Sequence, residues 1–200
     1  MTQKERIVVY IDGSNTFFKL RSLGMGFENL THFDYRGLAS WLAHGRLIID
    51  CRYYVGVVRV EEGNMKAQVL RQEQQRLFAH LLSPAQNFVV QKGYLIKSGG
   101  KYHEKGVDVE LAVDLLVGAY ENLYDSAILI SSDSDLVPAV KKARLLGKKI
   151  EHIGFASHPA FALQRHSNIS RFLIKEEVEP FAVEKEKALG EDETPQRSFS

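Results

Sequence analysis

Six short runs of apolar, mostly β-branched residues recur along the chain, separated by stretches of helical pattern. The runs fall at 7–11 (IVVYI), 47–58, 87–97, 127–131, 149–155 and 171–174. A strand buried on both faces reads as a nearly continuous apolar run rather than an alternating one. Helices are expected around 17–23, 35–44, 65–82, 107–120, 134–146 and 159–167. The helix at 107–120 is apolar nearly all round and reads as buried. Gly45, Ser83-Pro84 and Gly147 stand where helices should stop, and Ser98-Gly99-Gly100 breaks the third run into a strand or a hairpin. This alternation predicts an α/β fold: a Rossmann-like, mainly parallel central sheet with helices on both faces. Ligands of such sheets bind beyond the carboxyl ends of the strands. The residues that directly follow the apolar runs are therefore the ones to inspect.

Three of those places carry acids. Asp12-Gly13-Ser14-Asn15 follows the first run. Asp12 should end the first strand, and Asn15 could cap the next helix or hold a site by hydrogen bonds. The same four residues would equally make an ordinary turn. Lys105-Gly106-Val107-Asp108 opens the apolar helix at 107–120. Asp108 could be an acid favoured by the helix dipole. Asp114, about 120° further round that helix, has apolar neighbours and needs a partner if buried. Glu110 shares its face. Ser131-Ser132-Asp133-Ser134-Asp135 follows the fourth run, where Ser132 or Asp133 could cap a helix. If the first and fourth strands are neighbours, Asp12 and Asp133 meet on one sheet edge, and Asp108 joins them if its helix starts there. Clustered carboxylates repel unless a cation or a proton intervenes. Oxygen ligands of this kind suit Mg²⁺ or Mn²⁺, which can activate water against a phosphodiester.

Charge divides unevenly along the chain. Residues 176–200 hold eight acids and three bases, a net of −5, which leaves +6 on residues 1–175 within a whole-chain charge of +1. The expected division is a folded domain over 1–175 and an acidic, disordered tail over 176–200. A basic domain is compatible with a polyanionic partner. Lys141, Lys142, Arg144, Lys148 and Lys149 could bind phosphates or make a solvated helix face. Lys92, Lys97 and Lys101, interleaved with Tyr94 and Tyr102, could add charge and base stacking.

Several classes are excluded. Cys51 is the only cysteine and reads as core, so neither an internal disulfide nor a cysteine metal cage is available. The seven histidines show no H-x-H or H-x-x-x-H pairing, which argues against zinc. His103 reads as an exposed loop residue. There is no G-x-G-x-x-G and no G-K-[ST] motif. A haloacid-dehalogenase phosphatase would need an acid at position 14, where the chain has Ser14. No apolar run reaches the roughly 20 residues of a membrane span, and the first is shorter than a secretory leader requires. A cytoplasmic protein is expected.

VVYIDGSN, KGVDVELAVDLL and ILISSDSDLVPAVKKARLLGKKIEHIGF together resemble the NYN domain family, the LabA-like branch of the PIN-like nuclease superfamily. The resemblance spans roughly residues 6–175. It implies a PIN fold and a divalent-metal ribonuclease site. Position by position, it implies that Asp12, Asp108, Asp133 and Asp135 hold the metal, with Asn15, Lys105 and Ser132 beside them in the catalytic site. Asp114 matches a second acid of the KGVD helix. Leu136 stands where the family often has phenylalanine, and Ser167 and Asn168 stand where it usually has alanine and aspartate. The expected function is a metal-dependent ribonuclease, endonucleolytic in mode, with RNA as partner and a protein partner conceivable for the acidic tail. The competing reading is an inactive RNA-binding or protein-interaction module on the same fold, because fold alone does not fix activity.

Overall fold

The computed structural model describes residues 4–23, 33–60, 64–98, 101–156 and 159–182, with the side chains of Arg21, 95–98 and 101–104 outside the description. The tail from 183 onward, the Ser98-Gly99-Gly100 break beyond Ser98, and the side chains of Lys97, Lys101, Tyr102 and His103 therefore lie outside the described residues.

The chain runs β1 (Arg6–Asp12), α1 (Gly13–Ser22), α2 (Tyr35–Ala43), β2 (Leu47–Val57), α3 (Met65–Leu81), β3 (Val89–Ser98), β4 (Lys101–Lys105), α4 (Val107–Tyr120), β5 (Ser126–Ile130), α5 (Val137–Leu145), β6 (Lys149–Phe155), α6 (Phe161–His166), β7 (Ile169–Leu173) and α7 (Lys175–Val178). Short 3-10 turns precede α5 (Ser134–Leu136) and follow α7 (Glu179–Phe181). The seven-stranded sheet has the order β4-β3-β2-β1-β5-β6-β7. Six strands are parallel, and β4 pairs antiparallel with β3 as the outer arm of a hairpin. The α/β fold with a mainly parallel sheet is the one the apolar runs predicted.

β1 lies at the centre and explains its own sequence. Ile7, Val9 and Ile11 point into a core built with Leu38 and Leu42 of α2 and Phe78 and Leu81 of α3. Val8 and Tyr10 point into a second core with Leu111 and Leu115 of α4 and Val140 of α5. A strand covered on both sides has no position for a polar residue until it ends, and it ends at Asp12.

Two expectations need correction. α4 is not buried all round: Val109, Val113, Val117 and Tyr120 form an exposed stripe, because a three-layer fold covers only the inner side of each helix. The fold also continues past 175. Val178 is fully buried, Phe181 packs on the first core, and the Asp34 N–H donates to the Phe181 carbonyl at 2.7 Å. The acids of 176–179 thus belong to a turn of helix that is docked by its apolar side, not to a tail. Among the described residues no helix is long and apolar enough to cross a membrane.

Candidate metal centre

The β1–β5 pairing brings Ile11 beside Ile130, so Asp12 and Ser131 leave the sheet side by side. The Ser131 hydroxyl donates to Asp12 Oδ2 at 2.9 Å and accepts the Asp133 N–H at 3.0 Å. One buried hydroxyl thereby ties the end of β1 to the loop after β5. Asp12 Oδ1 accepts the Asn15 N–H at 3.0 Å, so Asp12 itself caps α1. The capping role open to Asn15 is thus taken by Asp12, and Asn15 Oδ1 is buried with no partner among the described residues. Ser132 Oγ is buried in the same way.

The carboxylates of Asp108, Asp133 and Asp135 converge, each offering an oxygen within 4.8 Å of the others. Asp108 comes from the first turn of α4, which Gly106 begins, and the other two from the turn before α5. Both helix starts lie on the same face and edge of the sheet as Asp12. Asp133 Oδ1 accepts the Asp135 N–H at 2.9 Å, which curls the loop so that its two acids stand together. No described cation pairs with any of the three. Uncompensated carboxylates at this spacing are a hard-oxygen donor set that fits a divalent cation. The two unpartnered oxygens belong to Asn15, three residues after Asp12, and to Ser132, directly before Asp133. Asp12 stands outside the group of three and reaches it through Ser131. Lys105 is exposed, three residues before Asp108 in the chain, and no described carboxylate pairs with it.

Asp114 belongs elsewhere. Its Oδ2 is 2.8 Å from Arg52 Nη1, accepts the Tyr54 hydroxyl at 2.7 Å and lies 3.5 Å from Gln91 Nε2. Asp50 holds the same guanidinium at 2.7 Å. Burial, and then the bond to Asp114, push the Tyr54 phenol far above its ordinary range, so it serves only as a donor. The carboxylate is compensated and lines a cavity of about 260 Å³ with Arg52, Tyr10 and Tyr124.

The basic stretch after the SDSD motif also serves structure. Arg144 donates to the His166 carbonyl, Lys148 is buried against Asn122 and the Tyr124 ring, and Lys149 pairs with Glu151. α5 runs away from the acidic edge, so its end cannot present phosphates to it. Asn168 sits at that far edge too. Its side chain accepts the Ile150 N–H at 2.9 Å and its N–H donates to Ile150 O, so an asparagine there removes no charge from the cluster. Leu136 is buried packing, and the Cys51 thiol is buried, which pushes it up to about 11.

Sequence reasoning missed two residues. Ser131, rather than Ser132, joins the acids. Behind it stands His152 of β6, fully buried, with Nε2 2.9 Å from the Ser131 carbonyl and Nδ1 2.8 Å from Ser170 Oγ. The carbonyl only accepts, so Nε2 carries the proton and Nδ1 accepts from Ser170. A lone histidine inside the apolar run KIEHIGF was the available signal. Burial holds its pKa below the ordinary 6.5, partly offset by the Ser131 bond. The unfolded chain therefore takes up a proton first, and stability falls as pH drops below 6.5. Urea midpoints across pH should show this slope in the wild type and a weaker one in His152→Gln. His152→Phe, which strands the carbonyl, should cost about 1–3 kcal/mol.

The sequence profile of the NYN domain matches residues 6–174. The chain belongs to the NYN domain family. This is a family of nucleases with the PIN-like fold, whose members generally use divalent metals, and the three clustered aspartates agree with that. An uncharacterized protein of Methanocaldococcus jannaschii is 37% identical over 81 residues, which cover 40% of this chain and 32% of that protein. The chain thus matches about a third of that relative's length. A crystal structure of a protein of unknown function from Vibrio parahaemolyticus superposes with a TM-score of 0.62 at 19% identity, covering 88% of this chain and 97% of the other. That likeness speaks for the shared fold.

Proposed function

We propose that this NYN protein is a divalent-metal-dependent endoribonuclease. The observation that carries the reading is the group of three carboxylates within 4.8 Å, with no described counter-charge, at the carboxyl edge of the sheet. Asp108, Asp133 and Asp135 would hold Mg²⁺ or Mn²⁺, with Asp12 behind them. Such an ion supplies Lewis-acid polarisation and offsets the charge that builds on a phosphodiester under attack.

The chain's own groups do the rest. Ser131 and the two capping bonds fix Asp12 and the Asp133–Asp135 turn on rigid strand and helix ends, so this part of the site needs little reorganisation. The Ser132 hydroxyl and Asn15 Oδ1, both buried and unpartnered among the described residues, orient the acids or a bound water. The Lys105 ammonium, also unpaired, takes the phosphate next to the scissile one. In the reaction the water oxygen bonds to phosphorus and releases a proton, the bond to the leaving sugar oxygen breaks, and that oxygen takes up a proton, so that one water is consumed and no proton is gained or lost overall. Charge on the basic domain draws the RNA backbone towards an otherwise acidic pocket.

The test is incubation with single-stranded and hairpin RNA and the matching DNA, with and without Mn²⁺. Metal-dependent internal cleavage of RNA is expected. A folded protein that binds RNA and never cleaves it would be the binding module instead.

A further inference from the structure

The outer end of β3 carries an arrangement that the fold does not require. Tyr94 is 61% exposed, and the Arg59 guanidinium carbon lies over its ring, 5.3 Å from the centroid. In the sheet Tyr94 pairs with Val57 of β2 on one side and Lys105 of β4 on the other. Directly paired residues share a face, so the Lys105 side chain stands on the Tyr94 side of the hairpin. No described carboxylate pairs with Arg59 or Lys105. A cation over an exposed ring stabilises a fold by only about 0.5–1 kcal/mol, too little to explain leaving a tyrosine in water. The pair instead offers a flat, cationic surface.

Its position relative to the acids is fixed. β3 is two strands from β1, about 10 Å across the sheet. Gly93, next to Tyr94, is packed under the start of α4: a Cβ there would meet Val107 Cγ2 at 2.3 Å and the Lys105 carbonyl at 2.9 Å. Tyr94, one residue on, faces the opposite side of the sheet, the side where Lys92 lies over Phe78 of α3. The end of β3 thus joins the turn that presents Asp108 on one face and carries Tyr94 on the other, and a bound strand would cross the sheet edge between them. Lys105 lies between Tyr94 and Asp108 in the chain.

We propose that Tyr94 and Arg59 form a stacking subsite for an unpaired base of the RNA, a few nucleotides from the scissile bond, with Lys105 on the phosphate between. The proposal rests on the nuclease reading. Only an unpaired base offers its face, because duplex stacking covers it. The surface presents ring and guanidinium planes rather than a set of base-edge contacts, so it should tolerate any base.

The test uses the full chain in EDTA and fluorescein-labelled RNA, single-stranded and annealed to its complement, read by anisotropy. Tyr94→Ala and Arg59→Ala should each weaken single-strand binding, Tyr94→Ala by about 10-fold. Tyr94→Trp should retain it, and duplex affinity should change less than about 2-fold. Exchanging the base composition of the strand should leave the Tyr94→Ala effect in place. With Mn²⁺, Tyr94→Ala should raise KM and spare kcat. Unchanged single-strand affinity in Tyr94→Ala, or equal losses on single strand and duplex, overturns the subsite. If the wild type cleaves nothing yet Tyr94→Ala still loses single-strand binding selectively, the subsite stands and the nuclease reading falls.

Discussion

Asp133→Asn should reduce metal-dependent cleavage by at least about 100-fold while leaving the fold intact. Loss of a group that merely orients a metal ligand already costs about 10- to 100-fold, so loss of a ligand charge should cost more. Asparagine keeps the oxygen that accepts the Asp135 N–H at 2.9 Å, and it caps helices well, so the loop keeps its curl. The variant also removes one of three negative charges whose oxygens lie within 4.8 Å. Relief of that repulsion, about 1 kcal/mol per pair in high dielectric, should raise the melting temperature of the metal-free protein. Saturating Mn²⁺ should stabilise the wild type by about 2–3 kcal/mol and the variant far less. Asp108→Asn should behave alike. Asp114→Asn is the contrast: it breaks a compensated network with Arg52 and Tyr54, so it should lower stability and keep the metal response. A wild-type rate and a wild-type Mn²⁺ shift in Asp133→Asn would sink the assignment of the centre.

Gly13→Ala should be among the most damaging single methyls at the described residues. A Cβ at residue 13 would meet Tyr53 Cε1 at 2.2 Å, Tyr53 Cζ at 2.6 Å and the Tyr54 carbonyl at 2.7 Å. Tyr53 cannot step aside, since it is buried edge-on against Tyr35, with ring centroids 5.3 Å apart. The Tyr54 carbonyl belongs to β2 and pairs in the centre of the sheet. Overpacking of this kind costs about 1–3 kcal/mol, which is about 3–10 °C in melting temperature at this size. Relief can come only by moving the start of α1, and Asp12 moves with it. Cleavage should therefore fall even at temperatures where the variant is folded, and calorimetry beside single-turnover rates separates the two effects. An alanine variant with unchanged melting temperature and rate would mean that β2 yields more readily than its packing indicates.

The sheet was legible because its strands are buried on both sides. A run such as IVVYI has one structural use, and the first residue after it, Asp12, is set on the sheet edge by the end of the hydrophobic pattern. Asp108, Asp133 and Asp135 were legible for a related reason: each sits at a strand end or a helix start, where chain direction alone decides which edge it occupies. α4 was misread because ten apolar residues in its fourteen satisfy both an inner core and a bare outer stripe, and periodicity does not separate them. The end of the domain was misread because the charge of 176–179 masks one apolar side chain, Val178, on which the segment docks.

Sequence by itself determined the α/β class, the acidic edge and which acids could reach it. The tertiary structure decided which of them share one ion's worth of space and which are already spent. Asp114 and Asp108 look equivalent along one helix, yet Arg52 from another strand neutralises the first, and nothing described neutralises the second. Ser131 and Ser132 look equivalent along one loop, yet the β1–β5 register turns the first onto Asp12. Strand order and register are products of how both cores close, and a linear pattern does not contain them.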